Sequence, residues 1–387
     1  MPMNSATNLS CSDEDIRFVL TVALIVGGWS SIVTCVLGLL ANTFSIIILA
    51  QQRMRSLSTN IYLIALAVVN FLWLVFFLIF YALRLTIILP SYISANDQQI
   101  FSVYNQMFHR LSPYIIPSMN TLQLCIIYYT VAVSVDRYLY ISMGLNVSQY
   151  CTIRNALRII FSLTIFAILF ILPYWFKYRA VTYLDYQNRT HYEVSHTKLG
   201  QQKIFQQVIN VYIYVPVVHV IPLITLLLIN ILTVRRLIQY HDEHRRLLCQ
   251  SIRQMTMMQT KVLYSRRHFH VSIMLIAVVV LFLLCRLPML MNNLYEVHNS
   301  TKNNRLTEDN LYFQCRILLT FNTFANFMQT INSNGNLIIY ILCCQNFRET
   351  TREVFDKLMN FFRLQSNEGL LSMIHIRSRT STRSTVT

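Results

Sequence analysis

SLSTNIYLIALAVVNFLWLVFFLIFYAL, from Ser56 to Leu83, runs for 28 residues without an Asp, Glu, Lys or Arg. A helix rising about 1.5 Å per residue needs roughly 20 residues to cross a hydrocarbon core about 30 Å thick, so this stretch can span a bilayer. Six further runs share the property: Phe18–Gln52, Leu111–Val135, Ile159–Phe176, Ile204–Val234, Val271–Tyr295 and Ile317–Phe347. Each is at least 18 residues long, and only the run from Val271 is interrupted, by Arg286. Barrel strands would be about 10 residues of alternating polarity, whereas these runs are continuous. The pattern predicts an all-α membrane protein, a bundle of seven transmembrane helices, over a soluble helical bundle.

The composition agrees. Of 387 residues, 55% are hydrophobic and 12% charged, and 32 Lys and Arg against 16 Asp and Glu leave a net +16. In a soluble chain that excess would suggest a nucleic-acid partner. Here no basic region stands free of the membrane with interleaved aromatics, so nucleic acid is excluded. The chain starts with Asp13, Glu14 and Asp15 rather than a basic region, unlike a cleaved signal peptide. With Arg53 and Arg55 flanking the first run inside, the expected topology has the N-terminus outside and the C-terminus in the cytosol. On that topology 20 cations fall inside, 11 outside and one, Arg286, within a span.

The expected organisation is an extracellular N-terminus over 1–17, a seven-transmembrane domain over 18–344, an amphipathic membrane-surface helix over 345–363 and a disordered cytosolic tail over 364–387. Phe347, Phe355, Leu358 and Phe362 share one face of the amphipathic segment, which implies contact with inner-leaflet lipid. The Ser/Thr-rich end is either a phosphorylation target or a solvated tail. Thr182, Tyr183, Tyr186 and Tyr192 suit a short hairpin after the fourth span. The sequons at Asn8, Asn188 and Asn299 all fall outside and are expected to be glycosylated, while Asn146 falls inside and is a chance match. Of nine cysteines only Cys11 and Cys315 face the oxidising side, which makes them the expected disulfide. Cys343 and Cys344 suit either palmitoylation or burial.

Asp136-Arg137-Tyr138 stands at the inner end of the third span. With Gly38-Leu-Leu-Ala-Asn42, Leu66-Ala67, Pro222, Phe282-Leu-Leu-Cys285-Arg-Leu-Pro288 and Asn332-Ser-Asn-Gly-Asn336-Leu-Ile-Ile-Tyr340 in order along the other spans, the chain resembles a rhodopsin-like G-protein-coupled receptor. The sixth- and seventh-span motifs, Leu-Ile-Asn230 and the run Leu172–Arg179 resemble invertebrate FMRFamide-type neuropeptide receptors. The resemblance implies a plasma-membrane receptor for an extracellular, amidated peptide that activates a heterotrimeric G protein as the sixth helix swings outward. It assigns coupling and switching to Asp136, Arg137, Tyr138, Phe282, Cys285, Pro288, Asn336 and Tyr340, with Asp136 holding Arg137 at rest. It places Arg286 at the floor of a ligand pocket with Met119, Asn120, Gln123, Asn293, Asn322, Asn326 and Thr330. Arg84, Tyr183, Tyr186 and Tyr192 are expected nearer the surface.

The departures from the family pattern matter. Asn70 replaces the second-span Asp, which implies weak or absent sodium dependence. Arg286 stands where a Trp is usual, and Leu337 where a Pro is usual. Ser112, with no cysteine between Lys177 and Lys203, removes the usual disulfide to the hairpin. Met119 in place of an Asp disfavours amine ligands. Two readings of Arg286 stay open: it docks a ligand carbonyl or carboxylate, or it bonds to the surrounding Asn and Gln cluster in a conformational role.

The spans contain no paired Asp and no Ser/His arrangement, so no enzymatic activity, metal or cofactor is expected, and His219 reads as a packed core residue. The rivals are a chemosensory receptor of the same architecture for a small metabolite and a seven-helix transporter. A transporter would show broken helices and a repeat between halves, neither of which is evident.

Overall fold

The computed structural model describes residues 13–55, 57–87, 98–143, 147–184, 190–202, 204–250, 277, 279–291, 294, 317, 319–357 and 359–360. In chain order, the long helices are α1 (Glu14–Leu49), α2 (Ser58–Ile87), α3 (Gln98–Ser142), α4 (Ile153–Trp175), α5 (204–250), α6 (Val279–Met291), α7 (Leu319–Cys343) and α8 (345–357). Five of them contain stretches long and apolar enough to cross a membrane, and the shorter α6 is apolar as well. With 25 residues, α7 is also long enough, and it carries six amide side chains, Asn322, Asn326, Gln329, Asn332, Asn334 and Asn336.

The helix ends differ from the charge-free runs for a simple reason: charge stops a residue entering lipid, not entering a helix. Accordingly α3 starts at Gln98 rather than near Leu111 and carries Arg110 within it. The start of α4 is set by Thr152, whose side chain accepts from the Asn155 N–H at 3.2 Å. Within the spans, hydroxyls bond back to their own helix, as Thr34 does to the Ser30 carbonyl at 2.7 Å and Thr43 to the Leu39 carbonyl at 2.8 Å. These hydroxyls are then not left as bare donors facing lipid.

Pro222 shapes α5. The stretch Pro216–Val220 takes the wider π register, with the Ile221 N–H bonded to the Pro216 carbonyl. In that register the carbonyl Pro222 cannot serve is that of Val217. The Tyr128 hydroxyl of α3 donates to it at 3.0 Å, tying α3 to α5 at the irregularity.

In the bundle α3 is central and α4 peripheral: 61% of an apolar 18-residue stretch of α3 is buried against 17% of the corresponding stretch of α4. The main core joins Trp73 and Phe77 of α2, Leu124 and Ile127 of α3, Ile171 of α4, Leu226 of α5 and Phe282 of α6. A second cluster, at the end bearing Asp136 and Arg137, joins Ile48, Leu63, Val133, Tyr340, Cys344 and Phe347. The outward faces are apolar, as lipid requires, with Leu40, Phe161 and Leu169 all exposed. The polar residues expected inside are there: Asn42, Asn70, Asn332, Ser333 and Asn336 are all buried. Asn42 donates to the Gly38 and Ser333 carbonyls, and Asn334 to the Thr34 carbonyl at 2.6 Å, which fastens α7 to α1. Gly38 is required by this contact, since a Cβ there would lie 1.6 Å from Asn334 Oδ1.

At the opposite end, β1 (Tyr178–Leu184) and β2 (Thr190–His196) form the expected antiparallel hairpin, with Thr182 opposite Tyr192. Its base is closed by Thr197, whose hydroxyl donates to the Phe176 carbonyl at 2.6 Å and accepts from the Gly200 N–H.

Candidate functional site

Asp136 and Arg137 sit at the end of α3 and are buried, 6% and 5% exposed. The structure does not pair them, which corrects the resting-state arrangement the resemblance implied. Consecutive residues on a helix point about 100° apart and do not face each other. Asp136 turns toward α2, where its Oδ1 accepts from the Ser58 hydroxyl at 2.9 Å and its Oδ2 from the Thr59 hydroxyl. Arg137 turns the other way. Its guanidinium lies 5.7 Å from the Tyr140 ring and borders a cavity of about 20 Å³, room for one water, lined also by Leu63, Tyr340, Cys344 and Phe347. Tyr340 packs against Phe347 with ring centroids 5.6 Å apart, so α7 and α8 close over the arginine together. Tyr138 and Asn336 complete this end, Tyr138 half-buried and Asn336 buried.

Two features here were not foreseen. Arg53, after α1, bonds to both Glu349 at 2.7 Å and Glu353, which clamps α8 beneath the bundle. Cys151 leans on Asp136, its thiol 3.8 Å from the Asp136 carbonyl oxygen, and burial and the Asp136 carboxylate push that thiol up to about 12. Such a thiol is a poor nucleophile. Cys344 is 6% exposed in the second core cluster, so its side chain is packed rather than offered to an acyl chain. Phe347 is buried and Phe355 exposed on α8, while Leu358, Phe362 and the side chain of Cys343 lie outside the description.

At mid-bundle, Arg286 of α6 is 1% exposed. None of its three guanidinium nitrogens has a hydrogen-bond partner among the described residues. Its guanidinium carbon lies 5.3 Å from the Phe282 ring, one turn earlier on the same helix. Tyr214 and His219 of α5 and Cys285 are its electrostatic neighbours. His219 is 2% exposed and packs against Tyr214, as a core residue would. Phe282 and Cys285 are buried and Pro288 half-buried.

The expected Asn and Gln cluster does not reach Arg286. Asn326 bonds to Asn322 at 3.4 Å and lies against Tyr81 of α2, while the Thr330 hydroxyl donates to the Phe327 carbonyl at 2.7 Å. Gln123 is buried, with Met119 and Asn120 half-buried on α3. The reading in which Arg286 is satisfied by this cluster therefore fails among the described residues, and Asn293 lies outside them.

Near the hairpin, Ser112 is buried where the family's disulfide would begin, and the hairpin docks on α3 without it, with Arg110 placed 5.7 Å from the Tyr192 ring. Arg84 of α2 stacks 3.8 Å over Phe108. Tyr183 is half exposed. His196 sits over Tyr178 with ring centroids 5.0 Å apart, and burial together with Lys177 holds it below the usual imidazole range. Asn8, Asn188, Asn299, Tyr186, Cys11 and Cys315 lie outside the described residues.

A polar-lined bundle with a buried arginine at one helix end and a hairpin at the other is receptor architecture, and the family comparison agrees. Residues 41–326, well over half of the chain, match the family model of the 7 transmembrane receptor (rhodopsin family), and the chain belongs to that family. It is a multi-pass membrane receptor and not an enzyme. More closely, it is 26% identical over 350 residues to an FMRFamide receptor of Drosophila melanogaster, an alignment covering 89% of this chain and 55% of that receptor. The chain thus spans about half the length of the relative it matches.

Proposed function

We propose that the chain is a plasma-membrane receptor for an extracellular, amidated neuropeptide, which it converts into activation of a heterotrimeric G protein by outward movement of α6. The observation that carries the reading is the likeness to an FMRFamide receptor along 89% of the chain. The residue distribution supports it. The end bearing Asp136 and Arg137 faces the cytosol, where 20 of 32 cations then lie. The hairpin end faces outward, and Arg84, Tyr183 and Tyr192 offer a peptide cationic and aromatic contacts there. Met119, Asn120, Gln123, Asn322, Asn326 and Thr330 belong to the deeper part of the ligand site, with Arg286 on α6 apart from their side chains.

Pro222 and Pro288 supply the pivots, and Arg137, closed in by Tyr340 and Phe347, is released toward the G protein when α6 leaves the bundle. In the same topology, residues 1–17 are extracellular and glycosylated at Asn8 together with Asn188 and Asn299, Cys11 pairs with Cys315, and the tail over 364–387 is cytosolic.

The test is a library of amidated peptides applied to cells expressing the receptor, with calcium and cyclic-nucleotide readouts. A saturable response to one peptide class is expected. A response confined to small metabolites, with none to any peptide, would overturn the proposal in favour of a chemosensory receptor.

A further inference from the structure

A guanidinium keeps its proton under all physiological conditions and presents five N–H donors. Arg286 is 1% exposed, so it does not snorkel to an interface, and its three nitrogens have no hydrogen-bond partner among the described residues. The Phe282 face at 5.3 Å attracts the charge but accepts none of the N–H bonds. The carboxylate of Asp136 is occupied by Ser58 and Thr59 at the end of α3, and the seven charge-free runs contain no Asp or Glu. The protein itself therefore brings no counter-charge to this point among the described residues. A buried ionised group is retained when something pairs with it.

We propose that Arg286 is the anchor of a small-anion site inside the bundle, taking chloride or a single carboxylate group, with Phe282 beneath it and Tyr214 and His219 on the α5 side. The near-complete burial of Arg286 limits the occupant to a compact anion. This deepens the proposed ligand site: either the ligand delivers a carboxylate to Arg286, or a free halide fills the site and tunes the pocket above it. The site rests on the ligand-pocket reading for its biological meaning but not for its existence, which the receptor without peptide can test.

The experiment measures thermal unfolding of the full-length receptor in detergent by a thiol-reactive dye that reports exposure of the buried Cys35, Cys125 and Cys285. Sodium isethionate, a bulkier sulfonate that carries no carboxylate, is replaced by sodium chloride or sodium formate at constant ionic strength. If the anion is present at many times its dissociation constant, the wild-type midpoint rises by about 5 °C. Arg286→Lys keeps part of the rise, and Arg286→Gln and Arg286→Met lose it. A rise with both anions assigns a site that admits a ligand carboxylate, and a rise with chloride alone assigns a halide site. No rise with either anion, or an equal rise in Arg286→Gln, overturns the proposal. A wild type indifferent to both anions that still answers a peptide removes the anion site alone. An anion effect without any peptide response removes the peptide-receptor reading alone.

Discussion

Arg137 and Arg286 are both buried, 5% and 1% exposed, yet the protein treats them in opposite ways. Beside Arg137, whose Nε is also buried without a partner among the described residues, Asp136 is held by two hydroxyls of α2, and Tyr340 and Phe347 line the one-water cavity the arginine borders. Around Arg286 the walls are aromatic, and the described residues offer its donors nothing. Insertion scales price an arginine at the middle of a span at about 2.5 to 3.5 kcal/mol. A helix end escapes most of that cost because water is near. The first arginine is thus the cheaper to keep, whereas none of the guanidinium nitrogens of the second has a hydrogen-bond partner among the described residues.

The sharpest way to break this contrast is to make the Asp136 end resemble the Arg286 region. Ser58→Ala combined with Thr59→Ala would leave the Asp136 carboxylate buried without its two donors, at a cost of about 3 kcal/mol, since each charge-assisted bond contributes roughly 1.5 kcal/mol or more. A lowered melting midpoint with raised basal signalling is expected. An unchanged midpoint would mean that the hydroxyls do not hold Asp136.

A smaller effect separates a satisfied group on α5 from the unsatisfied one on α6. Tyr128→Phe removes the only donor described for the Val217 carbonyl left by Pro222 and should cost about 1 kcal/mol. A loss near zero in thermal unfolding would show that the carbonyl finds another partner.

Arg53 supplies a solvent-exposed arginine as a third point of comparison. Its pairs with Glu349 and Glu353 are 39% to 51% exposed on the acidic side, so Arg53→Ala should cost only about 0.5 kcal/mol, and less at high salt. A larger, salt-independent loss would place that clamp with the buried networks instead.

His196 is the smallest case and the most instructive chemically. Its Nδ1 is buried without a partner among the described residues, as the Arg286 nitrogens are, but an imidazole can shed its proton. Burial and Lys177 lower its pKa in the folded hairpin relative to about 6.5 in an unfolded chain, so between the two values the unfolded form binds more protons. Its contribution is complete above about pH 6.5 and is lost as the pH falls. Hydrogen exchange over 178–196 should therefore speed up on acidification, and His196→Gln should flatten that response.

Much of this was legible in the sequence. The charge-free runs located the spans because lipid excludes charge over a length that a helix must match, and the hairpin followed from the Tyr- and Thr-rich composition of the loop, in which Thr182 now lies opposite Tyr192. The helix ends were less legible, since α3 begins at Gln98 among residues that fold as a helix without entering lipid. The π register of α5, over Phe205–Tyr214 and Pro216–Val220, could not be foreseen from composition, because it depends on how the hydrogen-bond ladder shifts along the whole helix. At the candidate site, Asp136, Arg137 and Arg286 stood out by type and place, but their partners did not. The family resemblance implied an Asp136–Arg137 pair, while the hydroxyl partners of Asp136 lie 77 and 78 residues away on α2. The Asn and Gln residues expected on Arg286 share its chemistry but use their hydrogen bonds elsewhere, as Asn322 and Asn326 do with each other.

The most direct test of the receptor reading is agonist-driven nucleotide exchange by a G protein in membranes carrying the wild type or Arg137→Ala, matched for surface level. The account predicts a peptide-dependent rise in the wild type that falls about 100-fold in Arg137→Ala, within the usual range of coupling between distant sites. Full peptide-driven exchange in Arg137→Ala would contradict it.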